Sequence, residues 1–156
     1  MNDLIKRALV QAKIPAMLEP KSLSRDDGKT PDGLTLTTWK QGKCLIWDAT
    51  IADTVCKSYV KQCSKNPGAG AKIRETKKIS KYSKLANDYC FVPVGIESFG
   101  SFGSEGHKLI KTIGRKVMEV TNEKRSSFFS FSSHLNGNTK RKRHLYYWNI
   151  SSFSGL

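Results

Sequence analysis

No apolar run in this 156-residue chain approaches the roughly 18 residues a membrane-spanning helix needs. The opening stretch, MNDLIKRALVQAKIP, carries charge where a signal peptide has its apolar core, and it lacks a small-residue cleavage site. Secretion and membrane insertion are therefore disfavoured. Cysteine is scarce: Cys44, Cys56, Cys63 and Cys90 form no CxxC pair, and His107, His134 and His144 stand far from them in sequence. Zinc-finger spacing is absent, and without a secretory signal the thiols read as free and buried in a reducing compartment. Acid is also in short supply, with 13 Asp plus Glu against 27 Lys plus Arg, a formal net charge of +14. The excess sits in residues 1–78 and 105–156, with a neutral stretch at 79–104 between them. Such a balance points to polyanionic partners, nucleic acid first, but it names no reaction.

What the chain has is enough apolar material, 38% of its residues, to build one core, and its length favours a single domain. In residues 2–13, Leu4, Ile5, Ala8, Leu9 and Ala12 fall at helical spacing; Asn2 can cap the start and Pro15 limits the end. Ala16, Met17 and Leu18 suggest a short strand before a turn-rich stretch containing Asp26-Asp27-Gly28 and Pro31-Asp32-Gly33. Residues 34–39 alternate apolar and hydroxyl side chains as a half-buried strand does. Gln41-Gly42 then makes a hairpin turn into an apolar strand at 44–47 that runs on through Asp48 to Ala52. A helix over about 71–87 should face the sheet with Ile73, Ile79, Tyr82 and Leu85 and leave Lys72, Arg74, Lys77, Lys78 and Lys84 wet. Residues 89–96 read as another strand, with Pro93 marking an edge or bulge, and 105–121 as a helix presenting Leu109, Ile110, Ile113, Val117 and Val120. The order is that of a small α/β domain. From Arg125 onward no period of 3.6 or 2.0 survives, and the expectation is a weakly ordered tail.

One pair of residues could carry chemistry. The hairpin brings Asp32 and Asp48 near the same end of two neighbouring strands. Two converging carboxylates repel, and a divalent cation relieves that repulsion. Mg²⁺ or Mn²⁺ at such a pair can polarise a phosphoryl oxygen and lower the pKa of a bound water. On spacing alone, however, an Asp in a Pro-Asp-Gly turn is more commonly a turn former, and Asp48 can serve a backbone amide.

The motif series narrows the choice. Leu18-Glu19-Pro20, Gly28-Lys29-Thr30-Pro31-Asp32-Gly33, Trp39, Gly42-Lys43, Leu45-Ile46-Trp47-Asp48-Ala49-Thr50 and Asp53-Thr54 occur in order. They are followed by Lys77-Lys78-Ile79-Ser80-Lys81-Tyr82 and by Phe91-Val92-Pro93-Val94-Gly95-Ile96-Glu97-Ser98-Phe99-Gly100. Over residues 3–122 this resembles the C-terminal restriction-endonuclease-like region that follows reverse transcriptase in animal non-LTR retrotransposon polyproteins. The resemblance implies the PD-(D/E)XK nuclease fold, a central mixed sheet flanked by helices, in residues 1–124, with a basic Ser/Phe-rich tail at 125–156.

It also implies roles. Asp32 matches the PD aspartate and Asp48 the second acid, both metal ligands, and Glu19 stands where a further acid completes such sites. The usual lysine two residues after the second acid is Thr50 here, and in retrotransposon versions a lysine from the following helix takes its place. The Lys-Tyr pair points to Lys81, with Lys78 one turn earlier as the alternate. The implied activity is Mg²⁺- or Mn²⁺-dependent hydrolysis of DNA phosphodiesters, the implied location intracellular and nuclear, with RNA as a further nucleic-acid partner and no membrane. Lys29, Lys43, Lys78, Lys140, Arg141, Lys142 and Arg143 are the candidate phosphate contacts. Glu97 reads as an acceptor for backbone amides of the 100–103 loop, and Trp39 and Trp47 as core rather than base-stacking residues. Met1 stands close to the first motif, so a fragment without polymerase is expected, and its hydrolytic competence is open. The other readings are a non-catalytic nucleic-acid-binding module and a basic structural protein.

Overall fold

The computed structural model describes residues 1–23, 28–53, 68–98 and 100–122. Helix α1 (Asn2–Gln11) leads into strand β1 (Ala16–Leu18), a 3-10 turn (Lys21–Leu23), β2 (Gly33–Lys40) and β3 (Lys43–Ala52). Helix α2 (Ala69–Lys81), a second 3-10 turn (Leu85–Asn87), β4 (Cys90–Glu97) and α3 (Ser104–Thr121) follow. The protein is thus α/β, with a mixed four-stranded sheet in the order β1-β2-β3-β4: the first three strands are antiparallel and β3–β4 is parallel. The expectation of a weakly ordered tail, the separate segment 125–156, and the residues Cys56, Cys63, His134, His144, Lys140, Arg141, Lys142 and Arg143 lie outside the described residues.

Local chemistry explains the strands. Gln41 and Gly42 both take positive φ, 53° and 74°, the pair of left-handed residues that a tight hairpin of right-twisted strands requires. β3 is buried on both faces over Leu45, Ile46, Trp47 and Asp48, as a strand paired on both sides and covered on both faces must be. Its odd residues Leu45, Trp47 and Ala49 join Val92 and Val94 of β4 in the main core, packed by Ile5 and Leu9 of α1 and by Leu109, Ile113 and Val117 of α3. Its even residues face α2, where Tyr82 stacks on Phe91 at 4.6 Å between ring centroids. Trp47 is fully buried, and Trp39 packs against the core with the Lys116 ammonium 5.2 Å from its ring centre, a cation–π contact. Pro93 stands on β4, an edge strand, where its missing N–H is tolerated.

Two expectations change. Asn2 is not the cap of α1: Met1 holds that position, no side-chain capping bond is made, and Asn2 lies in the first helical turn with its side chain committed elsewhere. Helix α2 is rotated relative to the Ile73/Ile79 stripe. Its buried residues are Gly70, Ala71 and Glu75, with Tyr82 buried just past its end, while Ile79 is 49% exposed.

The cause of that rotation is a carboxylate. Glu75, 1% exposed, accepts from the backbone N–H of Gly95 at 3.2 Å and Gly106 at 2.8 Å through Oε1, and of Glu105 at 3.0 Å through Oε2. Two of these donors belong to the first turn of α3, whose amides have no partner within the helix and whose dipole favours a negative charge. Small residues make room: a Cβ at Gly95 would lie 2.5 Å from the Ala71 carbonyl oxygen, and one at Gly103 would lie 2.3 Å from the Glu75 carboxyl carbon. Glu97 does the same for α2, accepting from Gly70 N–H at 3.0 Å. Its carboxylate therefore serves the start of α2, while the 100–103 loop is met by its backbone carbonyl, which accepts from Gly100 N–H at 2.8 Å.

Candidate active site

Asp32 and Asp48 arrive from adjacent strands. Gly33 opens β2 opposite Trp47 of β3, so Asp32 stands immediately before the ladder and Asp48 immediately after that register position. Asp32 Oδ2 accepts from the Ala49 backbone N–H at 2.6 Å, which ties the turn to the end of the hairpin. A Cβ at position 33 would fall 2.0 Å from the Trp47 ring, so only glycine lets the Pro-Asp-Gly turn close over that tryptophan. Glu19 N–H donates to the Asp32 carbonyl at 3.0 Å and fixes the far side of the same turn.

The two carboxylates meet. Burial pushes the Asp32 carboxyl above its ordinary value; the Ala49 amide works against that shift, while the charge of Asp48 and a hydrogen bond between the two side chains add to it. The Asn2 side chain also hydrogen-bonds Asp32 and favours its ionised form. Asp48, only 4% exposed, receives the Lys78 ammonium on Oδ2 at 2.6 Å. A continuous chain of polar contacts, Asn2–Asp32–Asp48–Lys78, therefore joins the first turn of α1, the turn before β2, the middle of β3 and the last turn of α2.

The residues expected at the site divide as follows. Asp32, Asp48 and Lys78 are brought together. Lys81 is exposed at the end of α2, three residues beyond the lysine that reaches Asp48. The rotation of α2 that buries Glu75 turns Lys78 toward β3. Glu19 is exposed with a positive φ of 47°, and no group of three or more His, Cys, Asp or Glu side chains placed to hold a metal exists among the described residues. Lys43 is spent on structure: its ammonium donates to the carbonyls of Asn87 at 2.6 Å and Ala86 at 3.4 Å, closing the second 3-10 turn. Lys29 is exposed beside the Asp32 turn. Thr50 follows Asp48 on the same face of β3 and offers a hydroxyl where a lysine would offer charge.

Asn2 was not among the expected site residues. Its type and position at a helix start are those of a cap, and only tertiary packing reveals its contact with Asp32. Glu75 had a signal that could have found it: it is the sole acid among residues 69–87, in a helix otherwise studded with Lys and Arg.

The donor set suits a hard divalent cation, which takes carboxylate and amide oxygens. The Lys78 ammonium already sits against Asp48 as a positive charge in that place. Basic residues continue along the same flank of α2, because Arg74, Lys77, Lys78 and Lys81 follow i, i+3, i+4, i+7 spacing. No helix among the described residues is long and apolar enough to cross a membrane. No protein-family model and no curated protein matches this sequence.

Proposed function

We propose that residues 1–124 form a restriction-endonuclease-like domain of the PD-(D/E)XK type, derived from a non-LTR retrotransposon, that hydrolyses DNA phosphodiesters with Mg²⁺ or Mn²⁺. The observation that carries this reading is the convergence of Asp32 and Asp48 with the Lys78 ammonium 2.6 Å from Asp48. A divalent cation, when bound, supplies Lewis acidity toward a phosphoryl oxygen and lowers the pKa of water. Asp32 and Asp48 would hold it, Asp32 being anchored by the Ala49 amide and Asp48 by its place in a doubly paired strand. Lys78 takes the role expected of Lys81: its ammonium orients the attacking water or balances charge developing on the phosphate. The basic flank of α2 supplies sequence-independent attraction for the nucleic-acid backbone, DNA or RNA, and a nuclear site of action follows from a DNA substrate.

The test is nicking of supercoiled plasmid by the purified chain. Wild type should nick only with Mg²⁺ or Mn²⁺, Asp48→Ala and Lys78→Ala should lose most of that activity, and Lys81→Ala should stay near wild type. Equal nicking by wild type and Asp48→Ala removes the catalytic assignment.

A second reading is favoured by one observation, the pairing of only two acids, one already neutralised by Lys78, among the described residues. In it the same fold binds nucleic acid without hydrolysis. It predicts salt-sensitive, metal-independent DNA binding and no nicking under any divalent cation.

A further inference from the structure

Tyr82 touches both halves of the proposed site. It closes α2 just beyond Lys81, and its N–H donates to the Lys78 carbonyl at 3.0 Å. The residue is only 3% exposed, and its ring stacks on Phe91 with an interplanar angle of 26°. Phe91 pairs with Ile46, which precedes Asp48 on the same face of β3, so the ring is seated against the strands that carry the second acid. A buried phenol needs a partner for its hydroxyl. Here the hydroxyl donates to the carbonyl of Thr30, 52 positions away in sequence, at 3.4 Å. Thr30 belongs to the same turn as Asp32. One side chain thus ties the end of the helix bearing Lys78 to the turn bearing Asp32.

We infer that Tyr82 is a positioning residue that holds the Lys78 ammonium and the Asp32 turn in one geometry; this rests on the metal-dependent reading above. Glu75 sets the phase of α2, but Lys78 lies in the last turn, where helices fray. A lysine side chain also gives up rotamer freedom to keep its ammonium 2.6 Å from one carboxylate oxygen. A misplacement of about 1 Å in a catalytic group can cost on the order of a hundredfold in rate. The stacked ring fixes the helix end against the sheet, and the hydroxyl fixes its distance from the Asp32 turn. Tyr82 therefore acts through Lys78 and Asp32 and has no direct part in the chemistry.

The test compares two variants of the full chain. Tyr82→Phe keeps the stacked ring and removes only the hydroxyl. Ile113→Val trims a buried side chain on the α3 side of the core. Both are followed by plasmid nicking in Mg²⁺ and by urea unfolding. Tyr82→Phe should lower kcat about tenfold, the scale on which outer-shell partners act, and leave KM within about twofold, because the basic flank of α2 is intact. Ile113→Val should lower the urea midpoint at least as far and leave kcat unchanged. A second readout needs no turnover. In divalent-free buffer the Lys78 ammonium, paired with Asp48, should give a slowly exchanging resonance by NMR of nitrogen-labelled protein, assigned by its loss in Lys78→Arg. Tyr82→Phe should broaden that resonance, and Ile113→Val should not. Wild-type kcat in Tyr82→Phe, or an unchanged resonance, overturns the inference and leaves the metal-dependent reading standing. A kcat that falls with the urea midpoint in both variants also overturns it, since that marks a purely structural role. Wild type that does not nick, or nicks no better than Asp48→Ala, refutes the metal-dependent reading and the inference with it.

Discussion

Replacing Glu75 with alanine tests the packing that sets the site. The substitution strips acceptors from three N–H groups, those of Gly95, Glu105 and Gly106, at 3.2, 3.0 and 2.8 Å, of which Gly95 and Gly106 are buried and Glu105 half-buried. Leaving a buried donor unsatisfied costs about 1–3 kcal/mol, and a charge lost from a helix N-terminus adds about 0.3–1 kcal/mol. Water entering the vacated space recovers part of this, so the expected loss is about 3–5 kcal/mol. Small domains have only about 5–15 kcal/mol in total. Urea unfolding followed by circular dichroism measures the loss, with Glu75→Gln, which keeps one oxygen acceptor, falling between alanine and wild type. The glycine opposite provides a check. Gly103 has ordinary extended angles, φ −69° and ψ 169°, so alanine there suffers from the Glu75 carboxyl group, whose carbon and two oxygens would lie 2.3, 2.4 and 2.5 Å from its Cβ. Gly103→Ala should be destabilising in the wild-type background and far less so in Glu75→Ala, a coupling of about 0.5–3 kcal/mol. A Glu75→Ala midpoint equal to wild type at unchanged m, or strict additivity with Gly103→Ala, would refute the reasoning.

Two further outcomes follow from the turn at Asp32. Gly33→Ala drives a methyl into the ring of a fully buried Trp47 and should destabilise by at least the ~1–3 kcal/mol typical of overpacking, with a red-shifted tryptophan emission as the local reporter; an unchanged spectrum and midpoint would contradict the contact. In divalent-free buffer the raised Asp32 pKa gives the folded state more bound protons than the unfolded state above the ordinary value of 3.8. Its contribution to stability is therefore complete below 3.8 and is lost as pH rises through the folded value. Asp32→Asn should gain on wild type across that window in urea midpoints, and a pH-independent difference between the two would count against the carboxylate pair.

The strands were legible because their signals are local. The alternation in 34–39, the Gln41-Gly42 turn and the apolar 44–47 run fix the hairpin, and the hairpin alone places Asp32 beside Asp48. The phase of α2 was not legible. Ile73 and Ile79 suggest one buried stripe, but the amides that draw Glu75 inward belong to Gly95, Glu105 and Gly106, distant in sequence. The Lys-Tyr pair that points to Lys81 carries no information about that phase, which sets Lys78 against Asp48. Asn2 failed for the same kind of reason, since a residue suited to capping its own helix is diverted by a carboxylate thirty positions away.

The outer side of β4 bears on how copies of this chain meet one another. From Pro93 to Glu97 its outward donors are already used: Pro93 has none, Gly95 N–H goes to Glu75, and Glu97 N–H goes to the Ser101 carbonyl at 2.8 Å. The Gly95 carbonyl takes Gly103 N–H at 2.9 Å. An incoming strand finds no ladder to extend there, and at the opposite edge β1 offers only three residues. A sheet this small is thus closed to growth by strand addition on the side next to its parallel pair, through the same carboxylate that sets the helix carrying Lys78.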